Sequence, residues 1–386
     1  MTPRLMLFER SDGRWGTRNH VLVLPLLAAA SRVTTVLAEQ NSGVVSVVHD
    51  WENIPGDPDA DRIRRVLVGT ATNPNVGAVL MVGLDESDAW FADQAKETGQ
   101  RVAFVALADS GGSLGAIDVG SDLLIGIASA AAEDSRVDAP LSGLCLGLEC
   151  GASDAFSGIT ANPALGIASD MLTERGGTSF LAEITELIGA ERLLAARAIS
   201  PEVADDIMEV VHRFEQDLAS AGVDLRGSQP APGNIAGGLT TLEEKSLGAA
   251  MKGGAGPIVG VLEYGEQPSA RGLHIMDTPG HDIESVTGMV TAGANIIGFT
   301  TGRGTPTGSP VAPTIKISSN TDVATRLPGL IDFDAGVITD GVETLEAVGR
   351  QVFEYLIEVA NGRRTAAETL GSREFAFARL DPNWDG

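Results

Sequence analysis

The chain has 386 residues, a formal net charge of -25, 43% hydrophobic residues and 20% charged ones. That apolar content excludes a disordered chain, and the acidity excludes a nucleic-acid binder, which needs stripes of Lys and Arg on its surface. Its two cysteines, Cys145 and Cys150, are too few for a disulfide framework, or for a zinc or iron–sulfur site built from this chain's thiols alone.

The first 140 residues alternate regularly. Apolar strand-like runs at His20–Leu24, Val44–Val48, Val76–Val82 and Arg101–Leu107 are separated by helical patterns at Leu27–Gln40, Pro58–Ala71 and Asp88–Gly99. A further helical pattern follows at Leu114–Ala132. Buried strands joined by helices predict a parallel sheet with helices on both faces, a doubly wound α/β domain over residues 1–138. The polar stretch Glu133–Pro140 marks its end. Beyond it, strands are expected at Leu141–Leu148, Thr178–Ala182, Ile258–Glu263, Gly272–Asp277, Ala294–Thr300 and Thr314–Ser318. Helices ending near Glu174 and covering Pro201–Ala221, Ile283–Ala292 and Val342–Asn361 lie between and after them. These elements predict a second, mainly parallel α/β domain over residues 139–386, carrying most of the site motifs. Leu225–Gly238 is rich in Gly, Pro and Asn, and too long to be a mere turn. The longest apolar run, Val21–Ala30, is about half a membrane span. No basic segment precedes an apolar leader, so a cytoplasmic protein without a membrane span is expected.

Only four of the 27 basic residues are lysines: Lys96, Lys245, Lys252 and Lys316. Positions that keep lysine in an arginine-rich chain are enriched for places where a compact, titratable ammonium matters. Several segments at predicted strand ends carry chemistry. Glu149-Cys150-Gly151-Ala152-Ser153-Asp154 puts carboxylates and a thiol where ligands bind in open α/β sheets, although a capped turn would look the same. Met276–Asp282 offers two acids and His281, suited to proton transfer or metal ligation. Thr300–Gly308 offers hydroxyls, amides and Arg303, which suits a polyhydroxy carboxylate, with a structural loop as the alternative. Gly111–Gly115 after a strand is either an anion-holding turn or a plain β–α connection. His49, alone at its strand end, reads as structural.

Several of these segments resemble the altronate/galactarate dehydratase family. The resemblance rests on Gly13–Asn19, Glu149–Asp154, Ser157–Gly166, Gly237–Gly248, Met276–Gly280, and Thr300–Gly308 with its continuation through Asn320. It spans nearly the whole chain and extends to the large subunit of sulfolactate sulfo-lyase. The family's chemistry is removal of a proton α to a carboxylate with loss of a β leaving group, water or sulfite, to give a 2-keto acid. Carried over, it implies Lys245, His281 and Asp154 as catalytic residues. Arg14, Arg18, Asn19, Glu149, Thr300, Thr301, Arg303 and Lys316 would then bind a small carboxylate substrate.

The chain also departs from the family pattern. Members usually carry Gly-Cys-Gly after the histidine matching His49, and a cysteine and an acid after the strand matching Val76–Val82. Here those places read Asp50–Gly56 and Gly83–Asp88. An iron–sulfur cluster is therefore not expected, while a divalent metal (iron, manganese or magnesium) remains compatible. A non-catalytic binding or scaffold relative is the rival reading. Fused members precede this region with a small SAF-type domain and others supply it separately, so a separate small SAF-type subunit is expected as partner. A homo-oligomer is also compatible.

Overall fold

The computed structural model describes residues 4–54, 56–225 and 229–379. Residues 226–228 of the expected long loop, Pro55 in the stretch after His49, and the last residues of the second domain lie outside the described residues. Two short antiparallel strands open the chain, β1 (Met6–Glu9) and β2 (Trp15–Gly16). Then β3 (His20–Pro25), β4 (Val44–Ser46), β5 (Val76–Gly83) and β6 (Val102–Ala106) alternate with helices Ser31–Gln40, Ala60–Ala71, Ala89–Glu97 and Ser113–Ala132. The four strands form one parallel sheet in the order β4-β3-β5-β6.

Alternation along the strands dictates which helix covers which face. Val23, Leu80 and Val82 pack on Val33, Leu37, Ala116 and Leu124 from the first and last of those helices. Leu22, Leu24, Val79 and Met81 pack on Ile63, Leu67 and Phe91 from the other two. The central β5 is buried along its whole length, as a strand covered on both faces must be. This is the doubly wound arrangement that the sequence predicts. Helix Ser113–Ala132 is long and apolar enough to cross a membrane by length and composition, which the sequence reading missed. Here it lies along β5 and β6.

After β7 (Val137–Asp138), which returns to pair with β1, come β8 (Cys145–Gly151), β9 (Thr178–Leu181), β10 (Ile258–Leu262), β11 (Gly272–Met276), β12 (Ile296–Thr301), β13 (Thr314–Ser318) and β14 (Phe333–Asp334). They form a seven-stranded sheet, ordered β10-β11-β9-β8-β12-β13-β14, with every pairing parallel. From β8 the chain fills one side of the sheet, with β9 beside it, β10 at the edge and β11 between them, and then switches to the other side with β12. Ligands in open α/β sheets bind beyond the carboxyl ends at such a switch. Helices Ala161–Thr173 and Leu345–Ala360 cover one face with Leu165, Val352 and Leu356. Helix Asp282–Thr291 covers the other with Val286 and Met289, in the same core cluster as Ile63 and Leu67. That helix crosses Ala60–Ala71 closely, because Gly69 has no side chain where a Cβ would meet Thr291 at 2.6 Å.

Two boundaries differ from the sequence reading in a way that matters. The strand expected over Leu141–Leu148 begins only at Cys145, after a 3-10 turn, so Glu149 and Cys150 lie inside it. The strands β1, β2, β7 and β14, of two to four residues, are too short to show alternation and exist through distant partners.

The segment between β2 and β3 is a tie-bar. Arg18 spends all five guanidinium N–H groups: two on Glu368 (2.7 and 2.9 Å) and three on the carbonyls of Thr17, Val359 and Arg363 (2.8, 2.8 and 2.9 Å). Buried Asn75 binds the carbonyls of Asn295 and Val311 and accepts from the Thr17 amide. Arg18→Met should therefore cost about 3 kcal/mol by stranding Glu368 and three carbonyls. Urea denaturation measures it, and an unchanged midpoint would contradict this role.

Candidate functional site

Beyond the carboxyl ends of the seven-stranded sheet, acids, lysines and a thiol meet, most of them buried. β8 delivers Glu149 and Cys150. β9 ends at Leu181, and the chain turns through Glu183 with φ 68°, a left-handed conformation that a non-glycine residue adopts only where surrounding structure enforces it. The next 3-10 turn, Ile184–Glu186, brings Glu186. Lys252 comes from the turn Met251–Gly253 that follows helix Leu242–Ala250.

The Lys252 ammonium is fully buried and donates to the Glu183 carboxylate and to Cys150 Sγ (2.9 Å). Cys150 Sγ donates to Glu186 Oε2 at 2.7 Å, and the Cys150 amide donates to Glu183 Oε2 at 2.9 Å. Glu186 Oε1 lies 3.2 Å from Lys245 Nζ, which also donates to Gln229 at 3.0 Å. On the other side of the strand, Ser285 Oγ donates to Glu149 Oε2 at 2.7 Å. Ser285 in turn lies 3.0 Å from Thr278 Oγ1, which accepts from the Glu183 amide at 2.7 Å. Glu149 Oε1 and Glu183 Oε1 are buried without a partner. Two sets, Cys150–Glu183–Glu186 and Glu149–Glu183–Asp282, each offer ligand atoms within 4.8 Å of one another and could hold a metal. Gly151 makes the second set feasible, because a Cβ there would meet Asp282 Oδ2 at 2.5 Å.

These surroundings spread the titrations apart. Burial, reinforced by the neighbouring Glu183 charge, holds Glu149 well above the carboxylate range. Burial and Glu186 push Glu183 up to about 7, despite Lys252. For Glu186 burial acts the same way, but Lys245 and Lys252 outweigh it and lower the carboxyl. Burial opposes charge on Lys252 and Lys245 as well, yet the anionic partners win and both are held above the usual lysine range. Lys316 is the opposite case. Its fully buried amine has no hydrogen-bond partner, and desolvation brings it down to about 7 against the pull of Asp282 and Glu149.

The structure gathers only part of the constellation expected from sequence. Glu149, Lys245 and Lys316 belong to the cluster. Asp154 sits at its edge as an anchor: its oxygens accept from the Phe156 and Ser157 amides, Ser157 and Ser319 hydroxyls, and Asn320. Thr300 donates to Asn162 on the opposite sheet face, and Thr301 accepts from the Gly304 amide. Arg303 is exposed at the rim, donating to the Gly233 carbonyl. The His281 side chain is 82% exposed and lies 3.0 Å from Glu284, pointing to solvent rather than into the cluster. Arg14, Arg18 and Asn19, expected to reach the substrate, do not. Arg14 is held by Asp12 and the Thr72 carbonyl, beside a cleft at the amino ends of β8 and β9. Asn19 bridges Arg10 and the Ala131 carbonyl. Arg18 has no donor left to offer, for the reason given above.

Sequence reasoning missed Glu183, Glu186, Thr278 and Ser285, and left Lys252 unassigned. A usable signal was present in the two glutamates embedded in the apolar run Phe180–Ile188, just past a strand. The scarcity of lysine was the other: Lys245, Lys252 and Lys316 converge, while Lys96 pairs with Asp93 on the surface.

Residues 141–382 match the family "D-galactarate/Altronate dehydratase, C-terminal". Residues 8–132 match "D-galactarate dehydratase/Altronate hydrolase, second domain". The chain belongs to the galactarate/altronate dehydratase family. Within that family it is 36% identical to altronate dehydratase of Bacillus subtilis over 96% of this chain and 76% of the relative. It is 35% identical to the (2R)-sulfolactate sulfo-lyase subunit beta of Chromohalobacter salexigens, over 97% of this chain and 96% of the relative. Galactarate dehydratase of Escherichia coli is 42% identical over 59% of this chain and 44% of that protein.

Lys252 is the cation that the buried acids depend on. Lys252→Met conserves volume but strands Glu183 and Glu186, and should cost about 3–5 kcal/mol in urea denaturation. Adding Glu183→Gln should recover part of that loss. Two simply additive losses would show that the pair does not interact.

Proposed function

We propose that this chain catalyses β-elimination from a 2-hydroxy carboxylate of the sugar-acid class, giving a 2-keto acid, with the Glu149–Glu183–Lys252 cluster as its chemical centre. The observation that carries this reading is the convergence of acids and lysines from several strand ends at the topological switch, in a member of a dehydratase family. A proton α to a carboxylate is weakly acidic, so its removal demands fixed positive charge where the enolate develops. Lys252 and Lys245, held cationic by Glu183 and Glu186, supply that charge without reorganisation. Lys245 is then a held ammonium rather than the base that the sequence suggested, and Arg303 at the rim is placed to meet the far end of a polyhydroxy chain.

The donors present fit a divalent cation. Glu149, Glu183 and Asp282 form an all-oxygen set with two unpartnered oxygens, which suits magnesium or manganese; Cys150, Glu183 and Glu186 would suit iron. Such an ion would supply further positive charge to the carboxylate of the substrate. A separate small subunit of SAF type is part of the proposal. Its support is that a relative covered over 96% of its length is itself called a subunit beta. The same coverage favours a second reading, in which sulfite rather than water departs.

The test is an assay of altronate, galactarate and (2R)-sulfolactate, with magnesium, manganese or ferrous iron, with and without the small subunit. Formation of a 2-keto acid is expected from one of them, with sulfite release deciding between the two leaving groups. Absence of turnover with every combination would favour the scaffold relative instead.

A further inference from the structure

Lys316 differs from the other buried lysines in having nothing to bind. We propose that Lys316 is the amine that removes the proton α to the substrate carboxylate, held against the face of Phe299. This rests on the elimination reading above and assigns its base.

The argument begins with register. Phe299 on β12 lies opposite both Glu149 on β8 and Lys316 on β13, so the three side chains form one row on one sheet face. That face is the one covered by helix Asp282–Thr291, whose first residue packs over Gly151. Lys316 Nζ is fully buried, without a hydrogen-bond partner, and 3.4 Å from the centre of the Phe299 ring. A base needs a free lone pair, and Lys245 and Lys252 have none to offer while their anions hold them as ammoniums. The charged groups facing Lys316 come from every neighbouring element: Asp282 from the covering helix, Glu149 from β8, Glu374 from the C-terminal segment and Asp332 before β14. Among the described residues none of them forms an ion pair with it. Burial therefore dominates and brings the amine down to about 7. The ring face then receives the ammonium that proton uptake creates.

The step balances with groups already described. The C–H electron pair stays on the α-carbon as the proton passes to Lys316 Nζ. The β C–O bond breaks with its electron pair leaving on oxygen as hydroxide, and a C=C bond forms. The resulting enol gives its hydroxyl proton to that hydroxide, which becomes water, while Lys316 gives its proton to the β-carbon. The products are a 2-keto acid and water, with Lys316 restored.

Two measurements test this. With only four lysines in the chain, NMR of lysine labelled with 13C at Cε resolves each one. One signal is expected to titrate near 7 and to vanish in Lys316→Met, while a Lys316 signal titrating near the ordinary 10.5 overturns the proposal whether or not the chain shows activity. The second is kinetic and uses the chain with its small subunit and metal. Lys316→Arg and Lys316→Ala should lose about 1,000-fold in kcat with little change in KM. Methylamine and the less basic 2-fluoroethylamine should partly restore Lys316→Ala, at rates that follow their basicity. If Lys316 merely bound the carboxylate, Arg would retain turnover and rescue by amines would not follow their basicity. Lys316→Met should unfold at no lower urea concentration than the parent, because it removes an unpartnered amine. Inactivity of the parent on every 2-hydroxy carboxylate would count against the elimination reading, whereas an active parent with an active Lys316→Arg would count against the base alone.

Discussion

A single buried ammonium, Lys252 between Glu183 and Cys150, is the contact on which the site's geometry depends. Uncompensated, burying Glu183 and Glu186 side by side would cost several kcal/mol per charge. Lys252 offsets that cost from within the protein, and Lys245 adds a second cation on the far side of Glu186. The arrangement fixes three segments relative to one another: the end of β8, the left-handed turn after β9 and the turn after helix Leu242–Ala250. It also accounts for the strain at Glu183, whose backbone must turn left-handed to bring the carboxylate back over Cys150.

The same low dielectric that makes the cluster costly also makes it useful. Two lysines surrounded by acids stay charged, and one lysine without a close anion tends towards neutrality. Carboxyl groups of one chemical type divide likewise, Glu186 downward and Glu149 upward. Groups driven apart in this way can hold and move protons near neutral pH, which an elimination requires.

Much of the fold was legible because buried parallel strands write themselves as apolar runs separated by helical periods. Val76–Gly83 is the plainest case. Strands as short as Trp15–Gly16 or Val137–Asp138 leave no such mark, since distant pairing alone defines them. At the site, Glu149–Asp154 was readable from its position at a strand end. Arg18 was misread because an arginine that grips a substrate carboxylate and one that grips Glu368 look alike in sequence. His281 was over-valued for its rarity, and only the structure shows it turned to solvent. Glu183 and Glu186 were hidden for the converse reason: acids in an apolar run carry no sign of which lysine neutralises them.

The central claim is that substrate is met at the carboxyl ends of the seven-stranded sheet, by the cluster around Lys252. The most direct measurement is a crystal structure with a non-eliminating analogue, a 2-hydroxy carboxylate lacking the β leaving group. The account predicts its carboxylate against Lys252, its α-carbon at Lys316 Nζ, and its tail toward Arg303. Density instead in the cleft beside Arg14 and Arg271, at the amino ends of β8 and β9, would contradict it.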